Sequence, residues 1–370
     1  MTEEGSLLYE QSPLRIDYAE KNLARMNLNE NLVMPRNFMR SVLAKCLDKI
    51  DARYYPSEID DGEILELRSA IAKYCRSATD SVAIGAGSDQ TIDLLFRSKL
   101  RTSSDSVVIV EPTFSMYRLL ASRLGAKAIT VNTRPSTDPE EPFSLNYEEL
   151  VASCKAKSAN LLVLASPNNP TGVQYQIEEI RSLLESRPNM TVMLDEAYAE
   201  YGEYNATGLL SAYQNLVISR TFSKAFGLAS FRLGYLVSSN VDLIREINEE
   251  LQYPYPISSI TAAVATEMLR RKQEVLEFAE KTKLFRKELI ESLQKLGKRL
   301  RIFSPSRANF VLAQTPGAKK IARELLEKYA IALKYMPSLG DEKEFLRITV
   351  GTRELNQKLL YALRRSAVSE

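Results

Sequence analysis

Two residues near the middle of the chain, a lysine and an aspartate, have the types and settings that covalent cofactor chemistry requires. Lys224 follows an apolar run and lies among small and aromatic side chains in the segment Ser219–Gly227. A lysine in this setting can act as a nucleophile, although a solvent-facing lysine is the commoner explanation of any one alone. Asp195 ends another apolar run, where a carboxylate needs a partner. That partner is a pyridinium nitrogen, a helix start that the carboxylate caps, or a metal ion.

Two further segments have the composition of loops that border a ligand. Residues 85–89 (GAGSD) stand between a predicted strand and a predicted helix. Glycines there let the backbone approach an anion, and the helix start offers free N–H groups; an ordinary turn capped by Ser88 is the alternative. Residues 166–172 (SPNNPTG) predict a rigid turn, but turn chemistry alone does not explain two adjacent asparagines. Thr221, Ser223 and Arg232 have the hydroxyls and the guanidinium to surround a phosphate.

The composition removes several classes of chemistry and partner. The 370 residues include no histidine, which excludes Ser–His triads, imidazole bases and His-ligated zinc. Lys and Arg number 49 and Asp and Glu 47, without a long run of one sign, so no nucleic-acid groove or polybasic membrane contact is expected. The acidic start is not a secretory signal, no apolar segment is long enough to span a bilayer, and the three cysteines are scattered. We therefore expect a cytoplasmic protein without a metal site.

Short apolar runs alternate with helical patterns across the middle of the chain. Runs rich in Val, Ile and Leu that are too short to be amphipathic are typical of buried strands in a mostly parallel sheet. The predicted strands are Ser81–Ile84, Ser106–Val110, Ala128–Val131, Leu161–Ala165, Thr191–Leu194, Leu216–Ser219 and Gly234–Val237. Helices such as Gln90–Ser98 and Gln176–Leu184 fall between them, which predicts a three-layer α/β/α domain. The segments described above follow these strands, at the edge where open α/β sheets bind ligands.

The pattern changes after about residue 255. Long helices over Ser258–Arg271 and Gln273–Leu296 precede strands at Asn309–Ala313 and Phe345–Val350 and a last helix from Arg353 to about Ser366. This order predicts a smaller α+β domain, against which the N-terminal segment packs. We therefore predict a large domain over residues 37–255 and a small domain formed by residues 1–36 and 256–370.

In this order and spacing, the motifs resemble those of fold-type I pyridoxal-phosphate (PLP) aminotransferases over nearly the whole chain. The resemblance rests on the phosphate loop, PNNPTG (residues 167–172), DEAY (195–198) and the SKAFGL segment with its later arginine. GSDQTIDLLFR (87–97), EPTFSMY (111–117), TFSKAFGLA (221–229) and LRITVGT (346–352) are more narrowly similar to the histidinol-phosphate aminotransferase branch.

The resemblance implies a role for each matching residue. Lys224 would carry PLP as a Schiff base and serve as the acid–base group, and Asp195 would pair with the pyridinium nitrogen. Asn169 and Tyr198 would hydrogen-bond the phenolic oxygen, and Phe114 would stack on the ring, with Tyr117 as its competitor. The phosphate would be bound by Gly87, Ser88, Asp89, Thr221, Ser223 and Arg232.

The same resemblance implies contacts from other parts of the chain. Arg347 would bind the substrate α-carboxylate, and Asn29 and Tyr117 would also border the substrate. Tyr55, or Tyr54 if the register is shifted by one residue, would reach the phosphate of the neighbouring subunit's cofactor. The protein would then be a homodimer with shared active sites.

The reaction implied by the branch is transamination between L-histidinol phosphate and 2-oxoglutarate by a ping-pong mechanism. The amino-terminal pattern matches only in part, because LNEN (28–31) is kept while the PYxPG and GPS segments that usually flank it are absent. An aromatic or aspartate aminotransferase and a related phosphothreonine decarboxylase therefore stay as alternatives. A nicotinamide dehydrogenase is disfavoured, since no GxGxxG with an acid about twenty residues later occurs.

Overall fold

The computed structural model describes residues 14–19, 22–48, 50–136, 142–156, 159–297 and 299–366. The predicted small domain therefore includes terminal residues that lie outside the described part. The helices are α1 (Arg36–Leu47), α2 (Gly62–Cys75), α3 (Gly87–Lys99), α4 (Met116–Arg123), α5 (Tyr147–Ala156), α6 (Ile177–Ser186), α7 (Val241–Arg245), α8 (Ser259–Arg270), α9 (Lys272–Gln294), α10 (Ala318–Tyr329) and α11 (Arg353–Arg364). The strands are β1 (Ala24–Met26), β2 (Val82–Ala86), β3 (Ser106–Glu111), β4 (Lys127–Asn132), β5 (Arg134–Pro135), β6 (Phe143–Ser144), β7 (Leu161–Ala165), β8 (Thr191–Asp195), β9 (Leu216–Thr221), β10 (Leu233–Val237), β11 (Arg301–Phe303), β12 (Phe310–Gln314), β13 (Ile331–Leu339) and β14 (Glu342–Thr349).

The large sheet contains seven strands in the order β2-β10-β9-β8-β7-β3-β4. Its strands pair in parallel except β10, which runs antiparallel to both of its neighbours. Every predicted strand of the central region belongs to this sheet, so the prediction of a mostly parallel sheet is confirmed.

Alternate residues of the central strands enter two different apolar cores. Leu162, Leu164 and Ile218 face one core, and Val163 and Val217 face the other. Side chains on successive strand residues point to opposite faces, so a strand covered by helices on both sides must be apolar throughout. This burial explains why these short runs could be recognised in the sequence.

The second sheet has the strand order β1-β13-β14-β12-β11. β1 is parallel to β13, and the other neighbours are antiparallel. Helices α9, α10 and α11 supply apolar side chains to the core beneath it, among them Leu289, Leu325 and Leu359. Because β1 joins this sheet, the amino-terminal segment packs with the carboxyl-terminal part of the chain.

Helix α8 lies beyond the predicted boundary near residue 255 but packs in the core of the large sheet. Its residues Ala262, Val264 and Met268 are fully buried there, together with Ile64 and Leu67 of α2. The division of the chain at residue 255 stays a prediction.

Candidate active site

A cleft of about 330 Å³ opens between the carboxyl ends of the central strands and the second sheet. Its lining includes Asn29, Ser88, Asp89, Phe114, Tyr117, Asn169, Asp195, Tyr198, Thr221, Ser223, Lys224, Arg232 and Arg347. The fold therefore brings together every site residue named from the sequence except Gly87 and Tyr55.

Lys224 stands in a tight turn directly after β9. The turn is closed by hydrogen bonds from the Gly227 N–H to the Lys224 carbonyl at 3.0 Å and from the Leu228 N–H to the Phe222 carbonyl at 2.9 Å. Its Nζ donates to the carbonyl oxygen of Leu28 at 3.0 Å. The turn thus directs the amine across the cleft, to the segment that follows β1.

Asp195 is the last residue of β8 and is only 6% exposed. Its Oδ2 accepts a hydrogen bond from the Tyr117 hydroxyl at 2.5 Å, and its Oδ1 accepts one from the Ala197 N–H at 2.9 Å. Burial raises the pKa of Asp195 to about 6, although both hydrogen bonds favour the ionised form. A carboxylate with this environment is suited to pair with a cationic ring nitrogen.

Asn169 and Arg347 meet where the large sheet faces the second sheet. The Arg347 Nη1 donates to the Asn169 Oδ1 at 2.5 Å, and its Nη2 donates to the Asn27 carbonyl at 2.9 Å. Arg347 lies on β14 and is 8% exposed, with its guanidinium 5.5 Å from the ring centre of Phe310. These contacts fix the orientation of a guanidinium whose residue lines the cleft.

Tyr198 is oriented by the amino-terminal segment. Its hydroxyl accepts from the Asn29 Nδ2 at 3.0 Å, and the Asn29 Oδ1 accepts from the Thr349 hydroxyl at 3.1 Å. Asn29 is buried and has a positive φ of 56°, a conformation that asparagine tolerates better than most residues. Asn29 therefore lines the cleft and also orients the Tyr198 hydroxyl.

The start of α3 lies against β10 and Arg232. A Cβ on Gly87 would stand 2.5 Å from the Arg232 Nη2, and a Cβ on Gly234 would stand 2.1 Å from the backbone nitrogen of Ser88. The Arg232 Nη2 also pairs with the Asp89 Oδ2 at 3.1 Å. No side chain caps the amino end of α3, so its first N–H groups are available to an anion.

The hydroxyl residues predicted for the phosphate lie at the end of β9 and just after it. Thr221 and Ser223 are both buried and line the cleft. The Thr221 hydroxyl accepts from the Ser223 N–H at 3.1 Å, which holds the chain between β9 and Lys224 in place.

Phe114 and Tyr117 lie at the same wall of the cleft but have different environments. Their rings are 5.7 Å apart and nearly perpendicular, at 86°. Phe114 is half-buried, whereas Tyr117 is 1% exposed and directs its hydroxyl to Asp195. The structure thus gives Tyr117 a carboxylate partner instead of a place against a cofactor ring, and Phe114 remains the candidate for stacking.

Tyr55 lies outside the cleft of its own chain. It is 81% exposed and stacks on Tyr255, with ring centres 5.0 Å apart. Tyr54 and Tyr253 are also exposed on this surface.

Several cleft residues were not identified from the sequence. Lys334 and Met336 line the cleft from β13, and Leu28 also lines it and supplies the carbonyl oxygen that accepts a hydrogen bond from the Lys224 amine. Asn168 donates to the Pro112 carbonyl and accepts from the Thr113 hydroxyl, both at 2.8 Å. It thereby joins the loop after β7 to the loop after β3, which accounts for the first of the two adjacent asparagines.

The described residues contain no group of His, Cys, Asp and Glu side chains that could hold a metal ion. None of the helices within the described ranges has the length and apolar character needed to cross a bilayer.

The chain belongs to the family described as Aminotransferase class I and II, whose profile matches residues 26–363. It is 29% identical to a histidinol-phosphate aminotransferase from Clostridium kluyveri over 346 residues, which cover 94% of this chain and 92% of that protein. It is 34% identical to a protein of the same name from Xanthomonas euvesicatoria pv. vesicatoria over 322 residues, 85% of each chain. The fold is similar to the crystal structure of histidinol-phosphate aminotransferase from Sinorhizobium meliloti in complex with pyridoxal-5'-phosphate. The TM-score is 0.81 at 23% identity, covering 92% of this chain and 90% of that one.

Proposed function

We propose that this aminotransferase uses PLP, bound to Lys224, to transfer the amino group of L-histidinol phosphate to 2-oxoglutarate by a ping-pong mechanism. The observation that carries the proposal is the arrangement of the cleft. The Lys224 amine, the buried Asp195 carboxylate and the Arg347 guanidinium belong to residues that line one cleft.

The residues present fit the cofactor at both of its ends. Asp195 offers a buried carboxylate to the ring nitrogen, and Asn169 and Tyr198 offer polar groups to the phenolic oxygen. The uncapped start of α3 and the Arg232 guanidinium suit a phosphate, and a Cβ at position 87 would fill the space between them.

When bound, PLP supplies an electron sink that allows a proton to leave the amine-bearing carbon of the substrate. Lys224 is the group that can accept that proton at Nζ and return it to a neighbouring atom, because its turn directs the amine into the cleft. Asp195 holds a negative charge beside the ring nitrogen, and Arg347 orients the substrate through its anionic group. Residues Leu28, Asn29 and Glu30 line the cleft, and the carbonyl of the preceding Asn27 accepts a hydrogen bond from Arg347.

The choice of amino donor is supported by the curated relatives' names and by the charge of the cleft. Lys334 and Arg347 stand directly opposite each other on β13 and β14, and both line the cleft. Two cations suit the phosphate of histidinol phosphate, which carries close to two negative charges at neutral pH.

The experiment that tests this proposal is a half-reaction with separate amino donors. The visible absorption of the PLP-loaded protein is followed after addition of histidinol phosphate, glutamate, aspartate or phenylalanine. We expect histidinol phosphate and glutamate to convert the cofactor to its amine form. Faster conversion by phenylalanine or aspartate would indicate the aromatic or aspartate alternative, and release of carbon dioxide from phosphothreonine would indicate the decarboxylase.

We further propose a homodimer in which Tyr55 contacts the cofactor phosphate of the partner subunit. The support is its position: Tyr55 is 81% exposed and belongs to a surface with three other exposed tyrosines, Tyr54, Tyr253 and Tyr255. Aromatic residues gathered on a surface are typical of protein interfaces.

The three cysteines are free thiols, which suits the cytoplasm as the site of the reaction.

A further inference from the structure

The hydrogen bond between Tyr117 and Asp195 joins two parts of the large domain beneath the cleft. Tyr117 belongs to α4 and Asp195 ends β8. The tyrosine oxygen lies 2.5 Å from the Asp195 Oδ2, and the other carboxylate oxygen accepts from the Ala197 N–H. The carboxylate is therefore held by two donors, one for each oxygen.

We propose that Tyr117 is a positioning residue for the reaction, whose hydroxyl keeps Asp195 ionised and oriented to pair with the cofactor's ring nitrogen. This inference rests on the proposed function, because Asp195 has this task only if PLP binds in the cleft. Tyr117 itself need not touch the cofactor or the substrate.

Asp195 needs such a donor because most of its surroundings favour the neutral acid. Burial has the largest effect and raises the pKa of Asp195, and the charges of Asp89 on α3 and of the adjacent Glu196 raise it further. Glu196 is paired with Arg220 of β9 at 2.6 Å, so that cation is already engaged. Lys224 and Tyr198 line the same cleft as Asp195.

The environment of Tyr117 argues against a role as an acid that exchanges protons during the reaction. Its side chain lies in the apolar core between α3, α4 and the sheet, with Leu95, Leu120 and Val163. Burial, followed by the nearby Asp195 charge, raises the pKa of Tyr117 well above its usual value, so the hydroxyl keeps its proton and donates it. A buried phenol that always donates to one carboxylate oxygen has the chemistry of a fixed partner rather than of a mobile acid.

The first test uses the cofactor-free protein and a double-mutant cycle. Unfolding by urea is measured between pH 5 and 8 for the wild type, Tyr117→Phe, Asp195→Asn and the double variant. The folded pKa of Asp195, about 6, exceeds the value of 3.8 for an unperturbed aspartate, so its ionisation lowers stability as the pH rises through about 6. Loss of the tyrosine donor should raise the pKa of Asp195 further. Ionised Asp195 would then destabilise the folded protein more at pH 8.

We expect Tyr117→Phe to raise the unfolding equilibrium constant about 10-fold or more at pH 8, less at pH 5, and far less when residue 195 is asparagine. Tyr235→Phe is the matched control, because Tyr235 is another fully buried tyrosine and its hydroxyl accepts only from the Cys75 thiol among the described contacts. If Tyr117→Phe changed the unfolding equilibrium constant equally with aspartate or asparagine at position 195, and equally at every pH, the inference would be overturned.

The second test asks whether Tyr117 acts through the ring nitrogen. The wild type and Tyr117→Phe are loaded with PLP or with its 1-deaza analogue, in which carbon replaces that nitrogen. With PLP we expect kcat to fall about 10-fold in the variant with little change in KM, whereas with the analogue the two proteins should turn over equally slowly.

The outcomes separate this inference from the proposed function. A wild-type protein that forms no visible band with PLP would contradict the proposed function itself. A normal band in the wild type, with the same loss of kcat in Tyr117→Phe for both cofactors, would contradict only the assignment of Tyr117.

Discussion

Lys334 lies directly opposite Arg347 in the antiparallel pairing of β13 and β14, and both side chains line the cleft. The guanidinium is oriented by Asn169 and by the Asn27 carbonyl. In the proposed function, these two cations are the groups that would bind an anionic group of the substrate.

Replacing Lys334 by methionine, which keeps an unbranched side chain without the charge, should discriminate between amino donors. We expect kcat/KM for histidinol phosphate to fall about 10-fold more than kcat/KM for glutamate, because the phosphate carries more negative charge than an α-carboxylate. The measurement is the half-reaction rate at varied donor concentration. An equal fall in kcat/KM for both donors would mean that Lys334 supports the folded structure or makes a contact that all donors share.

Replacing Gly234 by alanine should displace the start of α3, where the cofactor phosphate is proposed to bind. The new Cβ would stand 2.1 Å from the backbone nitrogen of Ser88, so the start of α3 must move. We expect a loss of stability of about 1–3 kcal/mol and a higher dissociation constant for PLP. Gly208→Ala is the control, since nothing lies within 4 Å of a Cβ there. Unchanged PLP affinity in Gly234→Ala would argue against a phosphate at the helix start.

Glu63 and Tyr55 line the same pocket. Replacing Glu63 by glutamine should remove a pH-dependent contribution to the free energy of unfolding. Burial raises the pKa of Glu63, but hydrogen bonds from Ser57 and Ser259 outweigh it and lower the value to about 2. Because the folded pKa lies below the unperturbed 4.5, the stabilisation is present above pH 4.5 and is lost as the pH falls towards 2. After allowance for solvent screening, we expect about 1 kcal/mol at pH 7.

Urea unfolding of Glu63→Gln and the wild type at several pH values measures this contribution. Glu66→Gln is the control, because Glu66 is largely exposed and pairs with Arg270 at the surface. A difference between Glu63→Gln and the wild type that stays constant from pH 7 to pH 3 would contradict the account.

Replacing Tyr55 by phenylalanine tests the contact between subunits. If its hydroxyl binds the partner's cofactor phosphate, the dissociation constant for PLP should rise about 10-fold while the dimer persists. Fluorescence titration with PLP and sedimentation measure the two quantities, and Tyr54→Phe is the matched control. The reverse ranking of the two variants would transfer the role to Tyr54, and no change in either would remove the proposed contact.

The large sheet and most of the site could be predicted because both depend on local signals. β7, β8 and β9 are buried on both faces, so each contains a continuous apolar run, and Asp195 and Lys224 stand at or just after the ends of β8 and β9. The carboxyl ends of neighbouring parallel strands lie at the same edge of the sheet. The proximity of Asp195 and Lys224 could therefore be predicted without knowing any contact between distant segments.

The remaining parts of the site depend on contacts between segments far apart in the chain. Lys334 enters the cleft because β13 pairs with β14, and Leu28 reaches Lys224 because β1 pairs with β13. The partner of Tyr117 likewise depends on how α4 packs on the sheet. Neither residue type nor spacing carries a signal for these pairings, so they could not be predicted from the sequence.

The central claim, that Lys224 carries PLP, is tested most directly by the visible absorption spectrum of the wild type and of Lys224→Ala during titration with PLP. Lys334→Ala serves as the control, because it removes a second lysine that lines the cleft. We predict a protein-bound absorption band in the wild type and in Lys334→Ala, and we predict that histidinol phosphate converts the wild-type band to the amine form. Lys224→Ala should lack the band that borohydride fixes to the protein. A borohydride-stable label of normal yield in Lys224→Ala, or no bound band in the wild type, would contradict the claim.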